Sequence, residues 1–175
     1  MSTNDGQLML KVARSAIQSE LEGAQYDLES PIIHLTDTCG VFVTLMLNNQ
    51  LRGCIGCITS FDPLYKTIPH YAVQSAMQDH RFSPLTLSEL PNVVIKLSVL
   101  TPPSPIQSIN NIILGTHGVI FSYLSFKSVF LPEVATEQGW DLETTLRHLE
   151  SKAGAPDGSW QNAEYTVFES QIYSE

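Results

Sequence analysis

The apolar residues of this chain recur with two different periods, and segments of the two kinds follow one another in no regular order. Near the amino terminus the spacing is helical, which predicts an amphipathic helix over about residues 5–22: Leu10, Ala13, Ile17 and Leu21. Around residues 93–99, apolar residues alternate with Lys96 and Ser98, as in a half-covered strand. Strict alternation of strand and helix is missing. The pattern therefore predicts an α+β fold, with a mixed, mostly antiparallel sheet and flanking helices.

A hairpin is predicted in the first half of the chain. The apolar stretch Cys39–Leu47 has the composition of a strand covered on both faces, and a returning strand is expected from Leu51 to about Ile58. Asn48 and Asn49 between them suit a tight turn, because asparagine tolerates positive φ. A helix containing Leu64 and Ala76 follows, and Pro69 is expected to kink it. Beyond that helix, Thr86 and Glu89 have the spacing of a short capping box.

The second half begins with the proline-rich segment 101–105, the best candidate for a sub-lobe boundary within one domain of residues 1–175. Strands are predicted at 117–123, 129–131 and 165–173, with a turn opened by Pro132. A helix between the last two strands is expected to be capped by Asp141 and ended by Gly154.

Charge and composition exclude some classes of function. Acidic residues number 18 against 9 basic ones, which gives a formal charge of −9 and disfavours bulk binding to nucleic acid. No secretory signal or membrane-spanning stretch is recognised, so the expected compartment is the cytoplasm. Cys39, Cys54 and Cys57 are an odd number, which is not typical of a disulfide framework.

The densest chemical signal is the hexapeptide of residues 51–56. In an extended segment Arg52 and Cys54 share a face, and a nearby guanidinium would lower the pKa of the thiol. Gly56 on the same face would leave room for a ligand or for another backbone. A reactive thiol beside an anion-binding arginine is one interpretation. The alternative is a buried structural cysteine, with glycines that mark a bulge or close packing.

Other candidate groups have weaker signals. Cys54 and Cys57 would point to opposite faces of a strand, which disfavours a zinc or redox pair, and no histidine spacing of a metal site occurs. Asp79, His80 and Arg81 cluster after a helix, either as a site or as a salt-bridged helix end. His117 begins a predicted strand and could face a cleft. The sequence specifies neither a metal nor a cofactor.

Several motifs, taken in order along nearly the whole chain, resemble the AMMECR family, also called AmmeMemoRadiSam system protein A. The hexapeptide Leu51-Arg-Gly-Cys-Ile-Gly56 is similar to the family's signature. The further matching motifs are Asp79-His-Arg-Phe82 with Pro84-Leu-Thr86, Ser98-Val-Leu100, Gly115-x-His-Gly118, Phe130-Leu-Pro-Glu-Val134, Glu137-x-Gly-Trp140 and Lys152-Ala-Gly154 with Trp160.

The resemblance implies an α+β fold with a larger and a smaller lobe and a cleft between them. It also implies companions, namely a Memo-type protein and a radical S-adenosylmethionine enzyme. Position by position it supports seven site residues: Arg52, Gly53, Cys54, Gly56, Asp79, Arg81 and His117. It does not support Cys57, and Glu150 stands where many relatives carry a cysteine.

Two functions stay open at this point. In the first, Cys54 attacks or holds an electrophilic substrate, and His117 or Asp79 moves protons. The family resemblance implies a nucleobase or related small molecule as that substrate. Arg52 or Arg81 would bind an anionic group, with Gly53, Gly56 and His80 completing the ligand site. In the second, the chain is a non-catalytic binding or adaptor module, and Cys54 is packing.

Overall fold

A computed structural model describes residues 3–26 and 35–175 of the chain. The helices are α1 (Thr3–Leu21), α2 (Leu64–Met77), α3 (Pro132–Gln138) and α4 (Leu142–Ala153). The strands are β1 (Val41–Leu47), β2 (Gln50–Cys57), β3 (Val93–Leu100), β4 (Ser104–Pro105), β5 (His117–Tyr123), β6 (Phe126–Phe130) and β7 (Glu164–Ser174). The predicted α+β class is confirmed. Among the described residues, no helix combines the length and the apolar character that crossing a membrane requires.

The chain divides into two compact units. The first contains the described residues up to Leu100 together with Gln171–Glu175, and the second is Thr101–Ser170. The proline-rich segment thus opens the second unit. The single-domain organisation and the cleft between lobes stay predictions.

The first unit is built on the antiparallel strand order β2-β1-β3. Residues of β1 alternate in burial, and Val41, Val43 and Leu45 are fully covered. They form one core with apolar residues of α1 and α2, such as Ile17 and Ile68. Because side chains alternate along a strand, Phe42, Thr44 and Met46 lie on the opposite face, away from this core.

The turn between β1 and β2 has the predicted chemistry. Asn48 and Asn49 have φ values of 52° and 61°, and they connect the paired residues Leu47 and Gln50. Positive φ at both central residues is the requirement of the type I′ hairpin turn. The predicted Asn-Asn hairpin is confirmed.

The second helix continues through its internal proline. α2 runs for 14 residues with Pro69 buried inside it. Its amino-terminal amides donate to the preceding chain, with Leu64 N on Asp37 O at 3.0 Å and Tyr65 N on Leu35 O at 3.2 Å. The first turn of α2 is therefore satisfied by backbone carbonyls, although Pro63 offers no capping side chain.

The second unit pairs β5 with both β6 and β7, and β7 with the two-residue β4. Its core contains Phe121, Leu146 and Leu149. As predicted, α4 is capped by Asp141, whose carboxylate accepts from Thr144 N at 2.8 Å, and it ends at Gly154 with a φ of 68°.

Two predicted boundaries in this unit were wrong. β6 begins at Phe126, earlier than predicted, because its pairing with Tyr123 extends the hairpin to the turn. Pro132 opens the helix α3 rather than a turn, since the fixed φ of proline suits the first helical position.

Candidate functional site

Cys54 lies on β2, on the face that points away from α1 and α2. Thr44 of β1 is its partner in the register, and the Thr44 Oγ1 and Cys54 Sγ atoms are 3.2 Å apart. Thr44 is also paired with the exposed Lys96 of β3. The three residues therefore form a cross-strand row, in which the half-buried thiol is hydrogen-bonded to a neutral hydroxyl.

Arg52 is the extra residue of a β-bulge. Leu45 is paired with Gly53 and Met46 with Leu51, so Arg52 has no partner on β1. In the described part of the chain, the hydrogen bonds of its guanidinium all go to the loop 83–89. It contacts Glu89 Oε1 at 2.9 Å, Ser83 O at 2.8 Å and, more distantly, Pro84 O. The arginine that was expected beside the thiol ties this loop to β2.

Glu89 completes that tie. Its carboxylate also accepts from Thr86 N and Thr86 Oγ1, both at 2.8 Å. The hydrogen bond from Arg52 is the main cause that lowers the pKa of Glu89 from 4.5 to about 2. The bond to Thr86 N is one half of the capping box that the sequence predicts, but it precedes a three-residue 3₁₀ helix and no α-helix.

Asp79 and Arg81 hold the outer edge of β2. The buried Asp79 carboxylate accepts from Cys54 N at 2.9 Å and from Arg81 Nε and Nη2 at 2.9 and 2.7 Å. Arg81 Nη2 donates to Cys54 O at 3.2 Å. The backbone N–H and C=O of Cys54 point away from β1, and both are thus hydrogen-bonded to side chains. This ion pair takes the place of a neighbouring strand.

The charge state of Asp79 bears on its predicted role. Its hydrogen bonds from Arg81 hold the pKa of the carboxyl well below its usual range, and the same pair raises the pKa of Arg81. A carboxylate that binds protons so weakly is a poor general base near neutral pH. The contacts therefore favour a positioning role for Asp79, and proton transfer by this residue stays a prediction.

The two glycines of the motif allow close backbone packing. A side chain at Gly53 would meet Ser75 O at 2.1 Å, and one at Gly56 would meet Val41 O at 2.2 Å. The buried Ser75 hydroxyl, on α2, accepts from Ile55 N and donates to Val43 O, both at 2.8 Å. The helix α2 approaches the hairpin at Gly53, and the two strands of the hairpin approach each other closely at Gly56. Ligand binding by Gly53 or Gly56 stays a prediction.

The two candidate histidines differ in setting. His80 is exposed, beside Asp79. His117 belongs to the second unit, where its Nδ1 accepts from Ile113 N at 3.1 Å and its own N donates to Ile113 O. In a neutral ring this bond leaves the proton on Nε2. The structure brings six predicted site residues of the first unit together: Arg52, Gly53, Cys54, Gly56, Asp79 and Arg81. His80 is exposed beside them, and a role for His117 in the same site stays a prediction.

Sequence reasoning missed Thr44 and Ser75, and it recognised Glu89 only as a cap. The other cysteines have separate surroundings. Burial is the main cause that raises the pKa of Cys39 to about 11, and a hydrogen bond with Cys57 is the main cause that raises the pKa of Tyr71. Cys54 and Cys57 thus have different partners. Within residues 3–26 and 35–175, no cluster of three or more histidine, cysteine or acidic residues could hold a metal ion.

Comparison with known proteins gives this arrangement a context. The model of the AMMECR1 family matches residues 10–173, nearly the whole chain. The chain belongs to the AMMECR1 family. Its membership does not rest on the hexapeptide alone, because the match covers both units.

Relatives in this family match over almost their full length. Protein NEQ441 of Nanoarchaeum equitans is 36% identical over 95% of this chain and 98% of that protein. Protein MJ0810 of Methanocaldococcus jannaschii is 34% identical over 100% of this chain and 92% of that protein. The crystal structure of the uncharacterised protein PH0010 from Pyrococcus horikoshii is similar with a TM-score of 0.89 and 33% identity, covering 100% of this chain and 93% of that one.

Proposed function

We propose that this AMMECR1-family protein is a binding module that acts with companion proteins, and that Cys54 serves its binding face rather than covalent catalysis. One observation carries the proposal. The arginines of the two motifs are already ion-paired. Arg52 is paired with Glu89 and Arg81 with Asp79, at nitrogen–oxygen distances of 2.9 and 2.7 Å.

Closed ion pairs make a poor anion-binding site. An anionic substrate would have to displace Glu89 from Arg52, whose side chain is only 13% exposed, and the displaced carboxylate would lose its charge-assisted hydrogen bonds. Such bonds each contribute roughly 1.5–3 kcal/mol. The two arginines therefore serve better as a scaffold that fixes the β2 edge and the loop 83–89 than as substrate ligands.

The surroundings of the thiol support the same conclusion. Nucleophilic catalysis by cysteine requires an adjacent base or cation that favours the thiolate. The side-chain hydrogen bond of Cys54 in the described residues is with the neutral hydroxyl of Thr44. The guanidinium of Arg81 lies close, since it donates to Cys54 O, but its charge is already balanced by the carboxylate of Asp79, which also binds the Cys54 amide. The row of Cys54, Thr44 and Lys96 is then a partly polar surface for a ligand or a partner.

The proposed partners come from the family resemblance. They are a Memo-type protein and a radical S-adenosylmethionine enzyme, to which the chain would deliver a small molecule or nucleotide, or onto which it would dock. The formal charge of −9 disfavours bulk nucleic acid as the partner.

The proposal is tested by incubating the folded protein with cell extract and identifying what stays bound by native and denaturing mass spectrometry. We expect reversible occupancy, by a small molecule or a Memo-type protein, that survives Cys54→Ser. Cys57→Ser is the matched control, because it removes a thiol on the other face. A covalent adduct on Cys54 that is absent from Cys54→Ser, or no bound species at all, would contradict the binding module.

One observation favours a second candidate, an enzyme that uses Cys54 to modify a nucleobase or related small molecule. Cys54 is half-buried rather than sealed, and its backbone is fixed on both sides, which is the rigidity that a catalytic group needs. This candidate requires the covalent adduct in the experiment above, together with loss of turnover in Cys54→Ser at unchanged stability.

A further inference from the structure

A separate cavity in the first unit lies between the loop that follows β2 and the helix α2. It has a volume of about 310 Å³, at the lower end of the range for small-molecule sites. Each of its lining residues carries a polar or charged group: Ser60, Asp62, Lys66, Thr67, His70 and Tyr71. None of these residues belongs to the motifs around Cys54.

The floor and one wall of this cavity are fixed by hydrogen bonds. Ser60 Oγ accepts from Asp62 N at 3.0 Å and is 3.2 Å from Thr67 Oγ1, which in turn is 3.1 Å from Asp62 O. The ring of Tyr71 packs edge-on against that of His70, with 4.9 Å between the ring centroids. The loop that carries Asp62 is therefore anchored to α2, and the positions of its backbone and of the helix are set before any ligand arrives.

Charges of both signs face this fixed cavity. Lys66 and His70 are one helical turn apart on α2 and present nitrogen donors on the same side. Asp62, on the loop before α2, adds a carboxylate to the same lining. Among the described residues Asp62 and Lys66 form no ion pair, and the Lys66 ammonium lies 5.8 Å from the centre of the Tyr65 ring. The guanidiniums of Arg52 and Arg81, in contrast, are already closed on carboxylates.

We infer that this cavity binds a small zwitterion of the α-amino acid class. Asp62 accepts hydrogen bonds from the ammonium group of the ligand, and Lys66 and His70 donate to its carboxylate. A purely anionic ligand would be repelled by Asp62, and a purely cationic one by Lys66. The ring of Tyr71 supplies a flat apolar wall for the remainder of the molecule. This inference does not depend on the proposed role of Cys54.

The test is a titration of the ¹⁵N-labelled full chain with L-alanine, followed by amide chemical shifts. We expect saturable shifts confined to residues 60–71. Asp62→Asn and Lys66→Met should each weaken binding by at least about tenfold, the effect of losing one charge-assisted hydrogen bond. Glu20→Gln and Lys11→Met make the same charge changes at exposed positions of α1 and should leave the affinity unchanged.

Two further probes decide the ligand class. Acetate and ethylammonium each carry one of the two charges of L-alanine, and each should bind more weakly by a similar factor. Equal affinity for acetate and L-alanine would show that the cavity is an anion site and would overturn the zwitterion site. Absence of saturable shifts, shifts centred elsewhere, or unaltered affinity in both variants would overturn the inference. Because all four substituted side chains are exposed, thermal unfolding should be unchanged and serves as the check on folding.

Discussion

Two buried carboxylates, one in each unit, have hydrogen-bond partners of different kinds. Asp79 and Glu150 each have a relative exposure of 5%, and each accepts a hydrogen bond from a backbone amide. Asp79 is paired with the guanidinium of Arg81. The described partners of Glu150 are both neutral, Ser159 Oγ and Trp160 N, each 3.0 Å from its Oε1. An ion pair thus holds a strand edge in the first unit, and two neutral donors hold a 3₁₀ turn in the second.

The difference in partners indicates which substitutions each of the two positions tolerates. Removing one member of a buried ion pair leaves the other charge without compensation, which costs more than losing a neutral hydrogen bond. Asp79 is in addition the group that satisfies an edge strand, and an unsatisfied edge invites pairing with another chain. The comparison therefore predicts that replacing Asp79 lowers the free energy of unfolding strongly, because Arg81 loses its partner. Replacing Glu150 should lower it only a little.

The largest effect is expected for Asp79→Ala. The change leaves Arg81 and Cys54 N without their acceptor, and we expect a loss of about 3 kcal/mol in the free energy of unfolding, the lower end for breaking a buried pair. The lower end applies because the Arg81 side chain is 48% exposed and can be rehydrated. Urea unfolding measures this, and size-exclusion chromatography over a concentration series checks for association through the β2 edge. A loss below about 1 kcal/mol would mean that the pair contributes little.

The ion pairs of Glu89 with Arg52 and of Asp79 with Arg81 make the free energy of unfolding depend on pH. For each carboxylate we expect this effect to be smaller than the loss in Asp79→Ala. The folded pKa of Glu89 is about 2 against an ordinary 4.5, and that of Asp79 is also lowered from 3.8. Each carboxylate therefore stabilises the fold fully above its ordinary pKa, and this contribution is lost as the pH falls toward the folded value.

The measurement is urea unfolding of the wild type and of Glu89→Gln between pH 6 and pH 2.5. Stability of the wild type should fall below about pH 5, and the fall should be shallower in Glu89→Gln because one such group is missing. Parallel curves for the two proteins would show that Glu89 does not titrate with folding.

How far the sequence predicts this site is seen at the hairpin. The Asn48-Asn49 turn was predictable because two adjacent asparagines have the φ tolerance that the turn needs. Counting back from that turn, however, would place Thr44 opposite Gly53. The bulge at Arg52 shifts the register by one residue and places Thr44 opposite Cys54. Gly53 is the kind of strand glycine that often marks a bulge, but it does not specify which residue stays unpaired, so the thiol's partner could not be predicted.

The charged residues show the same limit. Arg52, Asp79 and Arg81 were predicted as site residues from their types and from the family motifs, and the structure groups them around β2. The pairing of Arg52 was not predictable, because it depends on where the loop 83–89 returns to the strand. The ion pair of Asp79 and Arg81, in contrast, is the salt-bridged helix end that the sequence offered as one interpretation. Glu89 and Ser75, 37 and 20 residues beyond their β2 partners, bind through this tertiary arrangement. A capping pattern gave the only local signal, at Glu89.

The smallest effect is expected for Glu150→Gln, which tests the second half of the comparison. The amide keeps an oxygen that can accept from Ser159 Oγ and Trp160 N, so the 3₁₀ turn remains closed. Its new NH₂ group needs an acceptor in a buried site, and we expect a cost of about 1 kcal/mol in the free energy of unfolding. Glu150→Ala removes the acceptor itself, leaves the Trp160 amide unsatisfied, and should cost more than the glutamine variant. If glutamine and alanine proved equally costly, and as costly as Asp79→Ala, the negative charge of Glu150 would be essential, and the contrast between the two carboxylates would fail.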